Sequence, residues 1–79
     1  MTLRRFVGYR PDVPQHYIEH GYGNARDQPQ YEGVLFSDGT CAIRWLTETK
    51  SVSFWSSFDD LWLIHGHADY GTRIDWLDP

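Results

Sequence analysis

His16, Glu19 and His20 stand in the pattern H-x-x-E-H, the spacing most suggestive of chemistry in this chain. On a helix it sets two imidazoles on one face, where they ligate zinc while the glutamate acts as a general base, as in inverted zinc peptidases. The context is poor for that reaction. Such enzymes use a long helix in a large domain plus a distant carboxylate ligand, whereas one helical turn is all that fits between Pro14 and Gly21. His65 and His67 form a second pair, so a three- or four-histidine zinc site is conceivable. Spacing alone does not bring the pairs together, and small structural zinc sites usually include thiolates. His16, His20, His65 and His67 are weak metal candidates, with surface histidines the plainer reading, and no cofactor is expected. For His65, near a helix C-terminus, capping a carbonyl is the more modest role.

The second constellation is aromatic and basic: Arg44, Trp45, Trp55, Tyr70 and Arg73. With Arg44 and Trp55 both turned from the hairpin's core face, these residues would stack a planar ring while arginine holds a phosphate, or would receive a protein partner. A second core, covered by the loop, is the competing explanation. Together with His65 and His67 they make up the candidate binding set. No catalytic residue is assigned: there is no glycine-rich phosphate loop, no serine or cysteine in a nucleophile context and no plausible carboxylate pair. Cys41, the single cysteine, falls on an apolar strand face and reads as a small buried hydrophobe.

Positioning these residues falls to a few short elements. Residues 31–46 form a β-hairpin, with Asp38-Gly39 as a two-residue type I′ turn pairing Phe36 with Cys41 and Val34 with Ile43. A three-residue loop with a bulge would split the apolar set across both faces, so the two-residue turn is expected. Leu3 to Arg10 mixes apolar and charged residues in both phases, the pattern of an edge strand. Residues 11–30, with three prolines and two glycines, are a long loop with at most one helical turn. Val52 and Phe54 share one face of a further strand, with Trp55 on the other. A short helix over 57–65 follows, capped by serine, with Phe58, Leu61, Trp62 and His65 in one stripe. A last strand occupies 72–77. The expected fold is α+β and mostly β: a small antiparallel sheet or open barrel of about five strands with one short helix, in the order β-loop-β-β-β-α-β, as a single domain over 1–79.

Thirteen aromatics among 79 residues suit a domain too small to build a large core from aliphatics. The net charge of -4 argues against nucleic acid as a generic partner. No stretch is long and apolar enough to span a membrane, no leader is evident, and one cysteine excludes an internal disulfide, so a cytoplasmic location is expected. Surplus aromatics and a sheet edge also leave a homodimer open.

The segments EGVLFSDGTCAIRW, SVSFWSSFDDLWLIHGH and GTRIDWLD resemble a group of short proteins from actinobacteria and their bacteriophages. That group shows EG, a DGT turn, an RW strand end, an HGH and a closing WLD in the same order. The resemblance covers residues 32–78. It implies a phage source and a shared small β fold, and it points to Arg44, Trp45, His65, Gly66 and His67 as residues of the pattern. The expectation is a non-enzymatic binding module docking onto a host protein through its aromatic and arginine face. A protein that binds or sequesters a nucleotide-like small ligand is the alternative, and a metal-dependent hydrolase the third.

Overall fold

Runs of four to six residues with period-two apolar patterning build five strands, all joined antiparallel in one sheet. In the computed structural model, which describes residues 2–79, these are β1 (Arg4–Tyr9), β2 (Tyr31–Leu35), β3 (Cys41–Trp45), β4 (Val52–Trp55) and β5 (Arg73–Trp76). Their spatial order is β4-β3-β2-β1-β5. Helix α1 (Gln15–Glu19) lies in the β1–β2 connection, and helix α2 (Phe58–His65) and a 3-10 turn (Ala68–Tyr70) join β4 to β5. The mostly β, five-stranded antiparallel architecture expected from the sequence is the one adopted. The sheet stays open, and α2 covers one of its faces.

Three details differ from expectation, and each changes what faces outward. First, β1 is interior, between β2 and β5. Its charges are met by the C-terminal strand and tail: the Arg4 guanidinium lies 4.0 Å from the Trp76 ring, and Arg5 pairs with Asp78 at 2.8 Å. Second, the hairpin uses the longer loop. Leu35 pairs with Cys41 and Val34 with Ala42, because Asp38 keeps a negative φ that a type I′ turn does not allow. The Asp38 carboxylate instead accepts from the Thr40 N–H at 3.0 Å and hydroxyl at 2.6 Å, while Gly39 at φ 90° takes the bulge position. Third, Val52 and Phe54 are 69% and 66% exposed, and Trp55 is the β4 residue that turns inward against the core. The apolar residues are thereby divided between two faces, of which one is covered.

On the covered face Phe6, Tyr31, Cys41, Ile43 and Leu61 are buried together, flanked by Trp45, Trp55, Phe58, Ile74 and Trp76. Two large rings fit because each lies over a cross-strand glycine. Phe6 is opposite Gly33 and Tyr31 opposite Gly8, and a Cβ on either glycine would collide with the ring. Helix α2 is started by Ser57, whose hydroxyl accepts from the Asp60 N–H at 3.1 Å, with Asp59 and Asp60 at its positive end. The 11–30 connection is ordered by polar contacts as well as by buried Val13. The buried Gln30 side chain accepts from the Asn24 N–H at 2.7 Å and donates to its carbonyl at 3.0 Å. Asn24 in turn donates to the carbonyl of Leu46 at 3.0 Å, which fastens the connection beside the end of β3.

Candidate functional site

The residues singled out from the sequence fall into two groups on opposite sides of the sheet. Trp45, Trp55 and His65 meet on the covered side, with the His65 ring 5.2 Å from Trp45 and 5.3 Å from Trp55. Tyr70 and His67 stack at 4.8 Å just beyond the helix. Arg44 and Arg73 lie on the open side. Arg44 is 3.7 Å from Glu32, and Arg73 pairs with Asp75 at 2.9 Å while covering Tyr9. Trp55 and Arg44 therefore do not share the outward patch expected of them: Arg44 faces outward as expected, while the pairing of β4 with β3 sets Trp55 opposite buried Cys41. The H-x-x-E-H residues are not gathered either: His16 packs on Tyr17 and His20 on Tyr22. Among the described residues no three or more His, Cys, Asp or Glu side chains converge as metal ligands would.

The residue that sequence reasoning passed over is Arg10. It follows Phe6 and Gly8 in the inward phase of β1, and that period-two spacing was the available signal. Only 8% exposed, its guanidinium sits 5.1 Å from the Trp45 ring, 5.4 Å from Tyr70 and 5.8 Å from Tyr31. Nη2 donates to the backbone carbonyl of His65 at 2.8 Å, and the buried Nε has no partner. Among the described residues no carboxylate lies within ion-pair distance of it.

Arg10 and His65 line a cavity of about 320 Å³ between the 11–30 connection and the β3–β4 end of the sheet. Its other walls include Tyr17, Tyr22, Gln30 and Trp45, and the β3–β4 turn adds Thr47, Thr49 and Ser51, with the Thr47 hydroxyl donating to the Thr49 carbonyl at 3.2 Å. That combination of rings and converging polar groups, at the small end of ligand-pocket volumes, is what a compact organic molecule requires. None of the described lining residues is acidic, although the Glu48 carboxylate lies against Gly21 at the rim.

Burial sets the electrostatics. It pulls the Arg10 guanidinium below its ordinary value, opposed by Tyr31, Tyr70, the Asp69 carboxylate and Tyr17. His65 is also pushed down, first by burial and then by the charges of Arg10 and His67, so its ring is neutral at pH 7. The Tyr70 hydroxyl donates to that of Tyr17 at 3.2 Å and is held above the usual phenol range, chiefly by that bond. Cys41 is fully buried, its thiol raised by desolvation and donating to the Ser57 carbonyl at 3.4 Å. It packs among the core side chains as a small hydrophobe.

Fold and site together define a small, mostly β domain built on one open sheet, with a ring-lined cavity at one end. Residues 31–78 match the family described as Acb5 phage protein, and the chain belongs to that family. No curated protein and no solved structure matches it. The matched span supplies Trp45, the β3–β4 hydroxyls and His65, while Arg10, Tyr17, Tyr22 and Gln30 come from residues before it. Among the described residues no helix is long and apolar enough to cross a membrane.

Proposed function

We propose that this phage protein is a non-catalytic binding module that takes a small molecule into the cavity between Tyr22, Trp45 and His65, acting in the cytoplasm of its bacterial host. The observation that carries this reading is the cavity itself: aromatic residues, hydroxyl-bearing residues and the mostly buried Arg10 line the same space. The nucleotide-like ligand, the alternative to host-protein docking in the sequence reading, is preferred here, with its site moved from the Arg44 side of the sheet to the Arg10 side. Binding is favoured over catalysis because His65 is neutral and packed on two indoles and the Cys41 thiol is buried. An actinobacterial host is part of the same proposal, on the sequence pattern of residues 32–78.

The test is a thermal melt of the chain with and without a filtered small-molecule extract of bacterial cells. A rise in Tm that shrinks in Tyr22→Ala, an exposed rim residue, supports the reading. No rise at any extract concentration overturns it.

A second reading, docking onto a host protein, is favoured by the open face. The longer hairpin loop leaves Val34 and Phe36 on the side that α2 does not cover, beside exposed Val52 and Phe54, with Phe36 and Phe54 rings 6.1 Å apart. On that side the arginines are already paired with Glu32, Asp75 and Asp78. A partner would therefore meet a mainly apolar, locally neutral surface.

A further inference from the structure

We infer that Arg10 is the anion-binding group of this cavity, and that the ligand joins one oxyanion, a phosphate or carboxylate, to a planar ring. This rests on the cavity reading above and adds the ligand's chemistry. An arginine residue more than nine-tenths buried normally has a carboxylate beside it, because an uncompensated charge in a low-dielectric site is costly. Here the described residues supply none within ion-pair distance. Nη2 is committed to the His65 carbonyl, while Nε, buried, donates to nothing. Arg10 brings a full positive charge to the cavity wall, Asp69 acts on it only from beyond ion-pair distance, and an arriving oxyanion supplies a counter-charge in direct contact.

The remainder of the ligand follows from the remaining walls. Trp45 stands beside the guanidinium, and Tyr17 and Tyr22 line the same space from the 11–30 connection. Rings so placed stack on a flat, π-bearing group, and the hydroxyls of Thr47, Thr49 and Ser51 suit polar substituents between ring and anion. An exposed cluster of lysines would attract any anion. One buried arginine among rings selects a single charge at a fixed distance from a ring.

The experiment is calorimetric titration of the full chain with adenosine 5′-monophosphate, adenosine, nicotinate and inorganic phosphate as probes, repeated with Arg10→Lys. Adenosine 5′-monophosphate or nicotinate is expected to bind at least about tenfold more tightly than adenosine or phosphate alone; which of the two binds distinguishes a phosphate from a carboxylate ligand. Arg10→Lys keeps a charge but loses the planar fork, and it should weaken the anionic probe about tenfold or more relative to its effect on adenosine. Where that variant fails to fold, the Arg10 Nε–H resonance of the native chain is the second readout, and it should move with the anionic probe and not with adenosine. Equal affinity for adenosine and its monophosphate overturns the inference and leaves the cavity reading standing. Binding of neither anionic probe also overturns it, and the extract melt then decides the cavity reading separately.

Discussion

The Arg10 guanidinium donates through Nη2 to the backbone carbonyl of His65 at 2.8 Å, joining the residue after β1 to the last residue of α2 across 55 positions of sequence. That carbonyl is one of the acceptors a helix leaves open at its C-terminus, so a positive group there both caps it and meets the negative end of the helix dipole. The same bond holds the guanidinium at the cavity wall. Structure and proposed binding thus share one side chain.

Stability should depend on pH through His65. Its folded pKa is lowered by burial and by Arg10 and His67, so protonation favours the unfolded chain. The contribution is complete above the unfolded value of about 6.5 and declines as pH falls through it toward the lower folded value. Urea midpoints measured from pH 8 to pH 5 should fall over that interval, and His65→Gln should flatten the slope. An unchanged slope in the variant would remove His65 as its source.

Gly33→Ala should destabilise the domain by about 1–3 kcal/mol, the usual cost of forcing extra volume into a packed core. The new methyl would meet the Phe6 ring and the Ala42 carbonyl, and the carbonyl cannot swing aside. Gly8→Ala should act in the same direction through the Tyr31 ring. Chemical denaturation of the two variants checks this, and wild-type stability in both would contradict the ring-over-glycine packing.

Asp78→Asn should loosen the end of the sheet. Its carboxylate accepts from the Arg5 N–H at 2.8 Å and from the Arg5 guanidinium, which hold its pKa down to about 2. The stabilisation is present above the ordinary carboxylate value and is lost as pH drops through about 2. Hydrogen exchange at the Leu77 N–H, which donates to the Arg5 carbonyl, should quicken in the variant at pH 7.

Phe54→Ser should change stability by no more than about 0.5 kcal/mol, since the ring is mostly exposed and β4 is an edge strand. Under the docking reading it abolishes partner capture or self-association seen by analytical ultracentrifugation. A monomer that behaves identically with either residue counts against any role for the open face.

The strands and α2 were legible because period-two and period-3.6 patterning, a serine cap and a Gly-containing turn are local signals. The hairpin register was not. Asp38-Gly39 suits two turn types, and the choice fell to the bonds Asp38 makes with Thr40, which no pattern of apolar residues encodes. That one choice moved Val34 to the open side, whereas Trp55 is turned inward by the separate pairing of β4 with β3, which sets it opposite Cys41. Arg10 was hidden for a different reason. An arginine at the end of a strand normally reads as solvent-facing, and the groups that enclose this one, Tyr31, Trp45, His65 and Tyr70, come from distant parts of the chain. His65, by contrast, was placed near a helix end and lies there, its backbone carbonyl capped by Arg10 and its ring held by two tryptophans.

The most direct test is native mass spectrometry of the chain after incubation with a filtered small-molecule extract of bacterial cells, compared with the denatured chain. The cavity reading predicts one added organic mass on the 9.3 kDa chain, released on denaturation and diminished in Tyr22→Ala. A bare chain at every extract concentration would contradict it.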